Sequence, residues 1–211
     1  MASSRLHHVA LLAGSLEALL PRLAARGWQA GPLGSFPKEG TRETYVDLPQ
    51  RGGPASGPAS APAGPSAPAS GRLLLVAPAG PGPYARALAE RGPGLHHLGL
   101  AATSLAEFAA ALSASGWFVH PYSLRDGGRL RDLWLCRPGV PALIEVFEDA
   151  AAPEAEGALI RGVDLPVPEG LPSLLESLGC PAVRPAAGRF TLLHTATGVL
   201  SVDELLAGSG R

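Results

Sequence analysis

The chain has 211 residues, with 17 Lys and Arg against 18 Asp and Glu, six His and a formal net charge of −1. So balanced a charge excludes the broad basic field of a nucleic-acid or anionic-membrane binder and points to a small-molecule partner. No segment approaches the roughly 18 uninterrupted apolar residues of a membrane span, the N-terminus lacks the regions of a secretory signal, and Cys136 and Cys180 form no CxxC pair, so a cytoplasmic protein is expected.

The first expected element is an apolar strand opened by two histidines, LHHVALL at Leu6–Leu12. Ser15 then stands where an N-cap accepts from the first amides of a helix, predicted over Leu16–Ala25. Pro21 inside it should bend or shorten it, and Gly27 can end it in the left-handed conformation. Strands are predicted at Thr41–Leu48 and Arg72–Ala77. Between them residues 52–71, GGPASGPASAPAGPSAPASG, cannot bury a core and are expected to be a disordered, dispensable hairpin insert.

The same order then recurs. Leu6–Trp28 set over Leu95–Trp117 gives 11 identities in 23 ungapped positions, and Gly27 and Gly116 each stand nineteen positions after His8 and His97. In this second copy Ser104 caps a helix predicted over Leu105–Ser115, Gly116 ends it, and strands follow at Arg131–Cys136 and Ala142–Phe147. The stretch AGPGP at Ala79–Pro83 lacks the strand, GxGxxG and helix of a dinucleotide site. Arg125, Arg129 and Arg131 read as a solvated basic loop.

After a linker at residues 149–157, a faint third copy is expected: a strand at Ala158–Leu165, a helix at Leu171–Leu178 ended by Gly179, and strands at Phe190–Thr195 and Val199–Val202. Arg161 stands near the place of the histidine.

On the residues alone, a histidine in an apolar strand is more often a hydrogen-bonded core or surface residue than a ligand. Glu145 is more pointed, because an ionised carboxylate between Ile144 and Val146 is costly unless it is paired, solvated or metal-bound. By the two-residue period, His7 and His96 face away from His8 and His97, for packing or for bonding to them.

Two modules whose first strands carry LHH, joined by RGPGLHH at Arg91–His97 and closed by LIEVFE at Leu143–Glu148, resemble the vicinal oxygen chelate superfamily of glyoxalases, bleomycin resistance proteins and dioxygenases. Within it the likeness is to the methylmalonyl-CoA epimerases, over residues 5–148. The resemblance implies an α+β fold: tandem βαβββ modules, 5–78 and 79–148, curve a mixed sheet into a cup, and residues 158–206 add a degenerate third module.

It further implies a divalent metal, Co, Mn, Fe, Zn or Ni, held by His8, His97 and Glu145. The family's fourth ligand, a Gln or Glu four residues before a proline, falls on Leu74 before Pro78, which puts the metal affinity in doubt. Glu43, three residues beyond the turn Pro37-Lys38-Glu39-Gly40, falls on the proposed catalytic base; an exposed strand residue near an Arg is the equal alternative.

The function this implies is a metal-dependent epimerase, or a glyoxalase-like isomerase or lyase, acting on a small vicinal-oxygen substrate through an enolate or enediolate. Two alternatives stand beside it. One is a drug-sequestering binding protein whose cup is made apolar by Leu73, Leu74 and Leu75 and lined by Trp28, Trp117 and Trp134. The other is an Fe(II) extradiol-type dioxygenase. Relatives close their cups within one chain or between two, so a homodimer is among the expected assemblies.

Overall fold

A computed structural model describes residues 3–47, 71–113, 115–125, 130–149, 160–186, 188–195 and 198–208. Most of the predicted insert at 52–71 lies outside the described residues. The chain runs through β1 (Ser4–Leu12), α1 (Leu16–Ala25), β2 (Gln29–Ala30), β3 (Gly34–Phe36), β4 (Thr41–Asp47), β5 (Arg72–Pro78), α2 (Pro83–Arg91), β6 (Gly94–Ala102), α3 (Leu105–Ala111), β7 (Phe118–Val119), a 3-10 turn (Pro121–Leu124), β8 (Asp132–Cys136) and β9 (Leu143–Glu148). It continues through β10 (Ile160–Pro166), α4 (Pro172–Glu176), β11 (Val183–Ala186), β12 (Leu192–Thr195), β13 (Gly198–Ser201) and α5 (Val202–Leu206).

The two repeated helices, α1 and α3, begin as their sequences require. Ser15 Oγ accepts from the Ala18 amide and Ser104 Oγ from the Glu107 amide, each at 3.2 Å. Gly27 (φ 81°) and Gly116 (φ 92°) follow in the left-handed conformation that residues with a Cβ resist. Pro21 does not shorten α1: it removes one backbone donor, while Leu16, Leu19 and Leu23 bury the same helix face in the core. In contrast α3 stops at Ala111, four residues before the predicted end.

The first nine strands form one curved, mixed sheet. Its main path is β2-β4-β5-β1-β6-β9-β8-β7, with β3 paired to β4. The two halves meet where β1 and β6 pair antiparallel, and each is closed by its last strand running parallel to its first, β5 beside β1 and β9 beside β6. Duplication thus gives a pseudo-twofold sheet whose centre is the pair of histidine strands. One face packs on α1, α3 and the C-terminal elements through Val9, Leu11, Leu73, Leu75, Leu98, Leu100, Ile144 and Val146. The other forms the cup.

The C-terminal elements make a separate four-stranded sheet, β11-β10-β12-β13. Its first strand is central, parallel to β11 and antiparallel to β12, whereas in the first two modules the first strand runs parallel to the module's last. Its core residues Val163, Leu165, Leu175 and Leu178 are continuous with the main core. Backbone contacts tie it in further: Ile160 N–H donates to Gly71 O at 2.8 Å, and Gly71 N–H reaches His7 O at 3.0 Å. Gly71 has φ 75°, and a Cβ there would lie 2.1 Å from the Ile160 carbonyl oxygen, so only glycine fits.

Candidate metal centre

β1 and β6 each carry one extra residue relative to the other, between Leu6 and His8 in β1 and between Leu95 and His97 in β6. The extra residues are His7 and His96. A bulge breaks the two-residue alternation, so the expectation that these histidines face wholly away is corrected. His7 Nδ1 lies 2.9 Å from His8 Nδ1, and His96 Nδ1 lies 2.8 Å from His97 Nδ1.

The inner histidines meet at the sheet centre, with His8 Nε2 3.0 Å from His97 Nε2. Glu145 Oε2 lies 3.5 Å from the first and 3.7 Å from the second. These three residues can each offer one ligand atom with all three atoms within 4.8 Å of one another, the spacing of donors that can share an ion. The site is built by backbone register. Glu145 pairs with Gly99 across β6 and β9, and Gly99 leaves the space that the His8 ring fills, since a Cβ there would come within 2.1 Å of it.

Burial suits the imidazoles to ligation. It holds His8 down at about 3 and His97 well below the ordinary histidine value, so both rings are neutral and keep a lone pair near pH 7. Burial raises the Glu145 carboxyl to about 7, helped by the Asp132, Glu39 and Glu43 carboxylates. A carboxylate held uphill beside two neutral imidazoles is a donor set that a divalent cation relieves, and three ligands leave positions for water or substrate.

Leu74 occupies the place in β5 that Glu145 occupies in β9. It pairs with Ala10, two residues after His8, just as Glu145 pairs with Gly99, two residues after His97. Leu74 is buried with Ala10 and Val76 against Tyr45 and Tyr84, so the fourth position supplies no donor. Leu73 and Leu75 point into the core instead, which corrects the expectation that all three line the cup.

The three residues sit in a cavity of about 440 Å³. Glu43 and Tyr45 line one wall from β4, the hairpin turn at Pro37–Gly40 having aimed that strand, with Gly40 at φ 67°. Thr41 Oγ1 donates to Glu43 Oε1 at 2.8 Å. Burial raises the Glu43 carboxyl, opposed by this bond and assisted by Glu39.

Of the three tryptophans only Trp134 lines this cavity. It pairs with Glu145 across β8 and β9, and its ring lies edge-on to His97 at 5.1 Å. Trp28 is core, and Trp117 Nε1 donates to Leu174 O at 3.0 Å. Arg125, expected in a solvated loop, makes two bonds to Asp132 at 2.8 and 2.6 Å and lies over the Tyr122 ring at the cavity rim. Arg129 lies outside the described residues.

Sequence reasoning missed α2 and with it Tyr84, whose ring stacks on His96 at 4.5 Å. Its signal was present: Pro83 opens the helix and Gly92 follows it, the ordinary asymmetry of helix ends. The preceding Gly-Pro run at Ala79–Gly82 masked it.

Paired βαβββ modules around a central cup define the vicinal oxygen chelate fold. A solved structure of a hypothetical protein from Bacillus halodurans C-125 is similar at a TM-score of 0.50 and 18% identity, covering 74% of this chain and 99% of that one. A methylmalonyl-CoA epimerase from Streptomyces coelicolor in complex with 2-nitronate-propionyl-CoA is similar at 0.49 and 19%, covering 72% and 100%. The Mycobacterium tuberculosis methylmalonyl-CoA epimerase is similar at 0.46 and 22%, covering 71% and 89%. At these identities the likeness is one of fold. No family model matches the chain, and no curated protein matches it. No helix among the described residues is long and apolar enough to cross a membrane.

Proposed function

We propose that the protein is a metal-dependent epimerase or isomerase acting on a small substrate with two neighbouring oxygens. The observation that carries this reading is the convergence of His8, His97 and Glu145 in the cup that Glu43 also lines. A divalent cation held by those three residues would supply Lewis acidity to a substrate carbonyl. Glu43 then acts as the base: its carboxylate takes the proton from the carbon beside the carbonyl, leaving an enolate or enediolate, and gives it back to another face or atom. Burial raises its affinity for protons, which makes it a stronger base than an exposed carboxylate, and the Thr41 hydroxyl fixes one of its oxygens. Tyr45, Tyr84 and Trp134 give the cavity aromatic walls.

The test is the metal content of protein purified without chelators or a histidine-rich tag, compared with His97→Ala and Glu145→Ala. Near-stoichiometric metal lost in both variants supports the reading and leads to epimerase, glyoxalase and oxygen-uptake assays. Failure of the wild-type chain to bind Co(II), Mn(II), Fe(II) or Zn(II) overturns it. The apolar Leu74 position favours a second reading, a non-catalytic binding cup, which a tight ligand bound without metal or turnover would establish.

A further inference from the structure

Four imidazoles form one chain across the sheet centre, His7–His8–His97–His96, with nitrogen contacts of 2.9, 3.0 and 2.8 Å. A neutral ring has one N–H and one bare nitrogen, and every contact needs one of each. If His8 carries its hydrogen on Nδ1, it donates to His7 and its bare Nε2 accepts from His97; the bare Nδ1 of His97 then accepts from His96. The opposite choice reverses every bond. In either case one outer histidine accepts through Nδ1 and the other donates through it.

A cation changes that arrangement, because it needs both Nε2 atoms bare. Both inner rings must then carry hydrogen on Nδ1, and both outer rings must present a bare Nδ1. From the geometry we infer that His7 and His96 are positioning residues that hold His8 and His97 in the Nε2-ligating tautomer, and that cation binding reverses one arm of the chain. In that arm the inner ring's hydrogen passes from Nε2 to Nδ1 and the outer ring's from Nδ1 to Nε2, with no net proton gained or lost. This rests on the metal-site reading of His8, His97 and Glu145 above.

The structure gives the outer rings fixed places. The two bulges project His7 and His96 alongside their neighbours in mirrored fashion. His7 lies edge-on to Phe147 at 4.9 Å, and His96 stacks on Tyr84. Such outer partners of metal-bound histidines orient the ring and strengthen the donor.

The experiment is Co(II) titration of the purified chain and its variants by absorbance, with nitrogen-15 NMR of the ring tautomers before and after Zn(II). His7→Leu and His96→Leu should each weaken Co(II) binding by about 10–100-fold. His7→Asn and His96→Asn should recover most of it, since the Asn Oδ1 can stand in for the Nδ1 acceptor. In the wild type, Zn(II) should leave both outer rings protonated on Nε2, where the cation-free chain has one of each kind. Leu variants that bind like wild type, Asn variants as weak as Leu, or an outer ring still protonated on Nδ1 with Zn(II) bound would overturn the inference while leaving the metal site standing. A wild-type chain that binds no cation overturns the metal-site reading and this inference together. Should a Leu variant fail to fold, the wild-type tautomers decide.

Discussion

Leu74 and Glu145 stand at matching places in the two halves of the sheet, each paired with the residue two positions beyond an inner histidine. The duplicated frame therefore has a fourth corner pointing at the same centre, filled by an isobutyl group. Leu74→Glu should place a carboxylate there. Cation affinity measured by Co(II) titration should rise by on the order of tenfold, about 1.4 kcal/mol. The chelated variant should melt at a lower temperature than wild type, because an unpaired carboxylate is then buried among Ala10, Val76 and Tyr84. Unchanged affinity would show that the corner is out of reach of the ion.

Gly99 supplies the space for the His8 ring. Gly99→Ala should displace that ring and weaken Co(II) binding by at least about tenfold, in line with the cost of disturbing a ligand's support. Far-ultraviolet circular dichroism should be unchanged, since β6 needs no special backbone conformation there. Binding equal to wild type would contradict the close approach.

The cation-free protein should carry a pH-dependent cost from Glu145. Its carboxyl is raised by burial to about 7, so between the unfolded value of 4.5 and 7 the folded state keeps a proton that the unfolded chain releases, and stability falls as pH rises through that window. Glu145→Gln removes this cost. In chelator the variant should melt several degrees above wild type at pH 8 and close to it at pH 5. The histidines act in the opposite direction: His8, lowered to about 3 by burial, refuses a proton that the unfolded chain takes below 6.5, so both proteins should lose stability as pH falls from 6.5 toward 3. A wild-type advantage at pH 8 in chelator would refute the Glu145 assignment.

Glu43→Gln tests the base. On a substrate that the wild type turns over, the variant should lose about 10²–10⁴-fold in kcat, the usual worth of a positioned acid–base group, while binding Co(II) as before. Hydrogen exchange at the substrate carbon, followed by proton NMR in deuterium oxide, should fall by the same factor. Retained turnover would move the proton transfer to another residue.

Much of this was legible in the sequence because the gene repeats itself. Eleven identities in 23 positions reveal two equal strand–helix units, and the Ser caps and Gly ends of their helices are local chemistry that any such segment carries with it. The residues His8, His97, Glu145 and Glu43 could be named from their places in the repeat and its resemblance to a family. Helix α2 could have been named as well from Pro83 and Gly92, but the Gly-Pro run before it pointed to a loop.

Tertiary structure alone decided how those residues meet. Alternation puts His7 and His96 across the strand from their neighbours, but bulges arise from how two strands pair, and pairing between residues 89 positions apart is not written in either strand. The same register brings Gly99 beneath His8 and sets Leu74 opposite Glu145. The strand order of the C-terminal sheet, with its first strand central, was likewise hidden, because short apolar strands specify which face is buried but not which strand lies beside them. The sequence by itself thus determined the repeated strand–helix units and the chemistry they carry; the packing of the two halves determined that two imidazoles meet a carboxylate at one point and that the other two imidazoles flank them.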